Sequence, residues 1–429
     1  MRSRPECAAV AAAAISVSLL VGCAGSENRA DAGLVRADVA ARTVSTADAA
    51  ALPDVVAASR EAGMALLSAA ADDANTVVSP SSLQVALSML SEGARGDSLA
   101  QLETALGASG DDRRDAFAAL RGALAPLDGD PRDATGDDLP DEPIVHLADQ
   151  VVVDEGFEVS NDYLATIAEV YDAGIHHIDL DGAAAKDALD AWADHHTGGL
   201  IPESAISPNP DLRLVLQDAI LLAAQWQTPF GTAATFPQPF MLPGGDRVDV
   251  DMMHSIEPFA YVEVDGWRAA RLPYNDALHA DVVLPPTGID PAAASADLLA
   301  DLDAALDVAS PEPLDLALPK VDTAGTLDLL PSLAALGVAS IGCTGDADLS
   351  GIGGVPGELC VAQASQQTVL RIDEEGTVAA ALTEIGAEAS AAPAAPDRQL
   401  HLDRPFLFQI AHTDTDWLLF AAAIRDPRS

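Results

Sequence analysis

The spacing of apolar residues predicts helices early in the chain and strands late in it. Apolar residues at a helical period predict helices over residues 54–71, 81–91, 99–107, 112–125, 160–171 and 183–195. Apolar or alternating runs predict strands over residues 145–153, 214–222, 249–284, 314–318, 405–410 and 417–424. Residues 126–143 are acidic and rich in Gly and Pro, which is typical of a surface loop. The sequence shows no internal repeat, and the pattern favours one unit of the α+β class.

One short stretch has small side chains at every second position, close to a loop-like run. Residues 374–383 read EEGTVAAALT, with Thr377, Ala379, Ala381 and Thr383 two residues apart. In an extended chain these four side chains share one face, and nothing bulky there would prevent the strand from entering a packed sheet. Residues 389–396 (ASAAPAAP) have instead the composition of an exposed, protease-accessible loop. The combination indicates a segment with two states, and the alternative is an ordinary Ala-rich linker.

Further motifs along the chain occur in the order found in a known family. They are NTVVSPSS at 75–82, ALSM at 86–89, GARG at 93–96, Trp192 with Thr197, Gly199 and Ile201, LVLQDAILLAAQWQTPF at 214–230, ADLSG at 347–351 and DRPFLF at 403–408. With these motifs, the chain from about residue 55 to its C-terminus resembles the serpin family. The resemblance implies a serpin fold of the α+β class. In that fold helices pack on a large central mixed β-sheet plus smaller sheets, and a reactive-centre loop, here about residues 374–400, is exposed.

The resemblance also implies a mechanism in which the inhibitor is a suicide substrate. The target protease cleaves the loop, and the N-terminal arm of the loop then inserts into the large sheet and carries the acylated protease with it. The arm begins at a segment that we call the hinge, which comprises Glu374, Glu375, Gly376, Thr377, Ala379, Ala380, Ala381 and Thr383. Gly376 is expected to provide backbone freedom. The small inward residues favour an inhibitor over a non-inhibitory, serpin-fold binding protein, which is the alternative.

The family's spacing from Glu374 places the scissile bond between Ser390 and Ala391. This loop is longer than usual, so Ala392 and Ala394 are alternatives, whereas Arg398 would require a much longer inserting arm. Small residues fit the shallow specificity pocket of an elastase-like or subtilisin-like serine protease and not that of a trypsin-like enzyme. Inhibition of a cysteine protease through the same loop is a further alternative.

A second group of residues corresponds to the family's shutter region, the buried region beneath the opening of the sheet. Here it comprises Ser79, Pro80, Ser82, Asp218 and Gln366. Many serpins have a hydrogen-bonded Asn and His where this chain has Asp218 and Gln366. An Asp–Gln pair can still bond, but a buried carboxylate is costly unless it is well satisfied. We therefore expect sheet opening to differ in rate from that of other members.

Composition narrows the choice of partners. The chain is 49% hydrophobic but only 4% aromatic, so aliphatic side chains must fill most of a large core. The formal net charge of −45 argues against nucleic acid, other polyanions and anionic membrane surfaces as partners. It is compatible with a basic partner or with a general role in solubility. We expect a monomer.

The N-terminal residues resemble a bacterial lipoprotein signal. Residues 1–22 contain Arg2, Arg4 and the apolar stretch 8–21, which is short for a membrane span, and they precede Cys23. Cleavage would leave an acylated Cys23, a flexible tether over 23–52 and the serpin domain over 53–429. The expected location is extracytoplasmic, with a lipid anchor in the cell membrane. The alternative is an ordinary secretory signal with a chance cysteine.

Two cysteines remain in the domain, and the sequence offers little catalytic chemistry. Cys343 and Cys360 either form a disulfide or remain as free buried thiols. The adjacent histidine pairs at 176–177 and 195–196 are poor chelators because neighbouring side chains point in different directions. The acidic residues Asp128 and Asp130, and Asp346 and Asp348, are only weak candidates for binding a calcium ion, because they lack calcium-loop spacing. The sequence therefore predicts a protein that is not an enzyme and has no metal or cofactor.

Overall fold

The computed structural model describes residues 33–70, 74–135, 139–343, 346–377 and 396–428. The helices in these ranges are α1 Leu52–Ala69, α2 Pro80–Gly93, α3 Gly96–Leu106, α4 Gly110–Leu124, α5 Asn161–Tyr171, α6 Ala183–His196, α7 Ala296–Val308 and α8 Leu329–Ala335. The first six confirm the helices predicted from periodicity. Helices α7 and α8 were not predicted.

The strands fall mainly in the second half of the chain, as predicted. They are β1 Leu34–Val35, β2 Thr76–Val78, β3 Ile144–Asp154, β4 Ile175–Ile178, β5 Leu214–Gln225, β6 Thr235–Met241, β7 Arg247–Val264, β8 Trp267–Pro273, β9 Leu278–Leu284, β10 Glu312–Pro319, β11 Val321–Asp328, β12 Gln363–Ile372, β13 Gly376–Thr377, β14 Gln399–His401, β15 Phe406–His412 and β16 Trp417–Ile424.

These strands form two sheets in the described residues. The seven-stranded sheet has the order β1-β4-β3-β5-β13-β12-β11 and contains both parallel and antiparallel pairs. The nine-stranded sheet follows β14-β10-β7-β8-β9-β15-β16-β2, with β6 paired to β7. The mixed sheets and the helices packed on them confirm the α+β class.

Helix α2 lies between the two sheets. It contacts β3 and β5 of one sheet and β16 of the other, and nearly all of its side chains are buried. Ser79 caps the N-terminus by accepting a hydrogen bond from the Ser82 amide, and Pro80 occupies the first turn, where its missing N–H has no cost. Ser79, Pro80 and Ser82 of the predicted shutter region are thereby fixed directly beneath the seven-stranded sheet.

The N-terminal segment differs from the expected tether over the part that the structure describes. Strand β1 pairs antiparallel with β4, and Arg42 forms ion pairs with Asp115 and Glu169. Residues 33–51 therefore lie along the domain and do not project from it. Composition could not predict these contacts, because only a few charged side chains and the two residues of β1 make them. Residues 1–32, which include the predicted signal and Cys23, lie outside the described residues.

The predicted surface loop over 126–143 is only partly exposed. Leu127, Ala134 and Leu139 are buried, and short 3-10 turns occur at Ala125–Leu127 and Asp133–Thr135. Leu139 also accepts a hydrogen bond from the Gln225 side chain at the end of β5. A few apolar residues therefore attach a largely acidic segment to the sheet.

Cys343 and Cys360 form a disulfide, which decides between the two alternatives for this pair. The bond joins the segment after α8 to the start of the β12 region.

Among the helices that the structure describes, none has both the length and the apolar character needed to cross a bilayer.

Removal of this disulfide is expected to destabilise the native protein. The cysteines are 17 residues apart, and a cross-link that closes a loop of this length stabilises a fold by about 3 kcal/mol. Unfolding in urea should therefore shift to lower concentration in the double variant Cys343→Ser/Cys360→Ser. Dithiothreitol should reproduce this shift in the wild type and leave the variant unchanged. Equal stability of wild type and variant would contradict the prediction.

Candidate functional site: a hinge within the seven-stranded sheet

Strands β5 and β12 are joined at one end and separated at the other. The N-terminal ends of the two strands pair in parallel, from Gln363 opposite Val215 to Gln366 opposite Asp218. At their C-terminal ends the short β13 lies between them. It pairs antiparallel with β5 through Thr377 and Ala224, and with β12 through the same Thr377. Part of the hinge thus already occupies the sheet.

Between these two contacts, one edge of β5 is open in the part of the chain that the structure describes. Residues 219–223 of β5 have no partner there on the side facing β12. All five are buried. A strand continuing from Thr377 would find backbone partners along this stretch, since unpaired N–H and C=O groups at a strand edge accept an added strand.

Thr377 is held inside the sheet by a specific contact. Its side chain is only 1% exposed, and its Oγ1 lies 2.6 Å from the Tyr274 hydroxyl. The Tyr274 ring stacks on Trp226 with 4.5 Å between the ring centroids. Burial raises the pKa of Tyr274 above its usual range, so its hydroxyl stays protonated as a hydrogen-bonding group. The first inward residue of the hinge therefore sits in a rigid aromatic pocket.

Gly376 is required by close contact with β5. A Cβ at this position would lie 2.0 Å from the Ala224 carbonyl oxygen. No side chain fits so close to a neighbouring backbone, which makes glycine necessary in this state. From the sequence, Gly376 was expected to provide backbone freedom. The structure adds a steric reason for glycine at this position.

The turn before Gly376 is fixed by hydrogen bonds. The Asp373 carboxylate accepts from the amides of Glu375 (2.9 Å) and Gly376 (3.2 Å), and the Trp226 indole donates to the Asp373 carbonyl (3.0 Å). Burial raises the pKa of Asp373 despite these donors. Lys320 pairs with Glu374 at 2.7 Å. Burial alone would raise the pKa of Glu374, but the hydrogen bonds to its carboxylate and the charge of Lys320 together outweigh burial, and the net shift is downward.

The structure brings the predicted shutter residues together. The Gln366 side chain accepts from the Ser79 amide (2.7 Å) and donates to the Ser79 carbonyl (2.9 Å), which fixes β12 to the start of α2. Gln366 also approaches Asp218 at 3.5 Å, while the second carboxylate oxygen of Asp218 is buried without a hydrogen bond. Among the described residues, Asp218 therefore has the long bond from Gln366 and a weaker contact with Ser82.

Sequence reasoning missed Asp149, which is the cross-strand neighbour of Asp218. The two residues pair between β3 and β5, and Asp149 accepts one long bond (3.4 Å) from the Ser82 hydroxyl. Burial raises the pKa of Asp218 to about 7. Burial, with the neighbouring Asp218, also raises the pKa of Asp149 well above its ordinary value. The shutter region therefore contains two facing carboxyl groups whose joint ionisation is unfavourable.

The remaining predicted site residues cannot be placed. Ala379, Ala380, Ala381, Thr383, Ser390 and Ala391 lie outside the described residues, as does Cys23. Of the hinge, the structure describes Glu374, Glu375, Gly376 and Thr377.

Acidic clusters elsewhere in the described residues are largely neutralised by arginine. Asp281, Asp303 and Asp307 surround Arg271, which pairs with all three, and Asp303 also pairs with Arg60. Two groups of His and Asp side chains there lie close enough together to bind a metal ion. Each group contains at least one carboxylate that is already paired with arginine. Asp128, one of the weak calcium candidates, is paired with His146.

The comparisons with known proteins agree with this geometry. The sequence profile of the family described as "Serpin (serine protease inhibitor)" matches residues 57–427. The chain is 31% identical over 367 residues to leukocyte elastase inhibitor of Bos taurus, which covers 82% of this chain and 93% of the bovine protein. It is 27% identical to an uncharacterised serpin-like protein of Thermococcus kodakarensis, covering 84% and 82% of the two chains.

Solved structures show the same fold. The native state of tengpin, a thermophilic serpin, superposes with a TM-score of 0.76 at 24% identity and covers 91% of this chain and 97% of that one. A serpin from Tenebrio molitor, Serpin48, superposes with a TM-score of 0.70 at 26% identity, covering 87% and 98%. The fold and the split central sheet define a serpin-type protein. The chain belongs to the serpin family, and its curated relatives include inhibitors of a protease.

Proposed function

We propose that this protein inhibits serine proteases as a suicide substrate, through cleavage of the reactive-centre loop and its insertion into the seven-stranded sheet. The observation that carries the proposal is the position of Gly376 and Thr377 between β5 and β12, directly above an open stretch of β5. The hinge has entered the sheet at one end, and the path ahead of it has no competing strand among the described residues.

The register of β13 supplies the path of insertion. Thr377 opposite Ala224 and Gly376 opposite Gln225 set an antiparallel register with β5. Extended in steps of two, this register brings Ala379 opposite Leu222, Ala381 opposite Ile220 and Thr383 opposite Asp218. These residues share the buried face with Thr377 because side chains alternate along a strand. The inserting arm would therefore bury only small side chains until it separates Asp218 from Gln366.

The proposed target is an elastase-like or subtilisin-like serine protease. Ser390 and Ala391 at the proposed scissile bond have small neighbours, which suits a shallow specificity pocket. The bovine relative is named as an inhibitor of leukocyte elastase, and this supports the same class of target here. The acidic surface would favour approach by a basic protease.

Incubation with elastase or subtilisin tests the proposal. An adduct that survives SDS and boiling is expected, with the mass of the protease joined to the chain cleaved after Ser390. Trypsin is the matched control, because the loop offers it only Arg398, and it should give no adduct. Clean cleavage by elastase and subtilisin without any adduct would instead identify a non-inhibitory, serpin-fold binding protein. Adduct formation with a cysteine protease alone would contradict the proposed target class.

We further propose that the protein is a monomer held at the outer face of the cell membrane by acylated Cys23. The support is the apolar stretch that ends in Leu20, Val21, Gly22 and Cys23. Metabolic labelling with a radioactive fatty acid should mark the wild type and leave Cys23→Ser unlabelled and soluble. Equal labelling of both proteins would contradict the anchor at this residue.

A further inference from the structure

The N-terminal segment joins the seven-stranded sheet at one particular end. Strand β1 pairs antiparallel with β4, and the His177 amide on β4 donates a hydrogen bond to the Gly33 carbonyl (2.8 Å). The pairing of β4 with β3, and of β3 with β5, places His177 level with Val153 and with Leu214, the first residue of β5. Gly33 therefore lies at the Leu214 end of the sheet, which we call the anchor end.

The hinge lies at the opposite end of the same sheet, which we call the hinge end. Thr377 pairs with Ala224, which is ten residues further along β5 than Leu214. A strand rises about 3.3 Å per residue, so the two ends are roughly 33 Å apart. The reactive-centre loop thus starts at one end of the sheet, and the chain toward the N-terminus leaves from the other.

The tether between the domain and the proposed lipid anchor is short. Residues 33–51 lie along the domain, so only residues 24–32 separate Cys23 from Gly33. A fully extended chain of this length spans at most about 35 Å. A flexible chain of small and polar residues has an average end-to-end distance of roughly 17 Å. An acylated Cys23 would therefore keep the anchor end close to the bilayer, closer than the hinge end.

We propose that the protein is oriented on the membrane with its anchor end toward the lipid and its hinge end outward. This inference rests on the acylation of Cys23 and on the loop insertion proposed above. In this orientation the reactive-centre loop meets soluble proteases that arrive from the surroundings. A protease embedded in the same membrane would have to reach past the length of the sheet, which makes soluble proteases the favoured partners.

Insertion would move the trapped protease from the hinge end to the membrane surface. Continued along β5, the register of β13 brings Ala387 opposite Leu214. Ser390, at which the protease would be attached, then lies just beyond the anchor end. A protease of about 230 residues has a radius of gyration of about 17 Å, which equals the average extent of the tether. The trapped protease would therefore lie against the bilayer.

Energy transfer to lipid tests the orientation. The acylated protein is placed in phosphatidylcholine vesicles that contain an acceptor lipid, and a donor dye is attached to Asp211→Cys or to Asp276→Cys. Both positions are exposed; Asp211 lies just before β5 at the anchor end, and Asp276 follows Asn275, whose amide bonds to Gln225 at the hinge end. Transfer should be at least about twofold more efficient from position 211, because the two ends are roughly 33 Å apart.

Equal transfer from the two positions in vesicle-bound protein would overturn the orientation and leave the lipid anchor in place. Protein that is absent from the vesicles would overturn both the anchor and the orientation. The two failures are therefore distinguishable.

Elastase labelled with the donor dye tests the movement of the protease in the same vesicles. The matched control is elastase with its catalytic serine replaced by alanine, which can bind the loop at the hinge end but cannot be acylated. Transfer from the SDS-stable adduct should exceed that of the control by at least about twofold, again because of the roughly 33 Å between the ends. An adduct with the same transfer as the control would overturn the movement to the membrane and leave inhibition intact. Absence of any adduct would overturn the inhibitory mechanism and this movement with it.

Discussion

Thr377→Arg is expected to turn the protein from an inhibitor into an ordinary protease substrate. The Thr377 side chain is 1% exposed between β5 and β12, and its hydroxyl lies 2.6 Å from that of Tyr274. A guanidinium group there would be buried without an acidic partner or would hold the hinge out of the sheet. Burial of an unpaired charge costs several kcal/mol, and each ~1.4 kcal/mol added to the barrier slows insertion tenfold. Hydrolysis of the acyl-enzyme would then be faster than insertion.

The measurement is the stoichiometry of inhibition of elastase, followed by SDS gel electrophoresis. The variant should be cleaved at the same bond and form no stable adduct. Val378→Arg is the matched control: the same side chain is introduced one residue later, where alternation along an inserted strand would direct it to solvent. Val378→Arg should retain most of the inhibition. Equal loss in both variants, or full inhibition by Thr377→Arg, would contradict insertion in this register.

The closed sheet is expected to lose stability as the pH rises from about 4 to 7. The pKa of Asp218 is raised from 3.8 to about 7 by burial, and a shift of this size corresponds to roughly 4 kcal/mol. A carboxyl group whose pKa is higher in the folded state stabilises the fold below the unfolded value, near 3.9, and loses that contribution as the pH passes the folded value. The midpoint of urea unfolding should therefore fall over this range.

Asp218→Asn isolates the contribution of this carboxyl group. Asparagine keeps the shape and the bond to Gln366 but does not ionise, so the variant should be less sensitive to pH than the wild type and more stable at pH 8. The comparison also removes the general effect of the net charge of −45, which both proteins share almost equally. Wild type and variant with the same dependence on pH would show that Asp218 does not control the sheet.

The shutter and hinge could be predicted where a local motif specifies a local structure. Ser79 and Pro80 were predicted as shutter residues from the family's motif, and the structure places them at the cap and first turn of the buried helix α2. Gln366 and Asp218 follow from the family's strand motifs. Thr377 was predicted to point inward from alternation, and in the structure its side chain is buried between β5 and β12.

Other parts of the site depend on contacts between distant segments. Asp149 meets Asp218 because of the register between β3 and β5, which no local pattern fixes. Tyr274, just after β8, and Lys320, between β10 and β11, reach the hinge from separate segments of the chain for the same reason. The contact of residues 33–51 with the domain was also missed, because small polar residues are typical of a tether whether or not they pack.

Insertion of the cleaved loop into the seven-stranded sheet is the central claim, and thermal unfolding of intact and cleaved protein tests it most directly. The chain should be cleaved in the loop by a protease that it does not trap, and both forms should be followed by circular dichroism under the same conditions. The cleaved form should melt at a much higher temperature, because residues 378–383 would fill the open edge of β5. Equal melting temperatures would show that no strand enters the sheet after cleavage, and trapping by insertion would be ruled out.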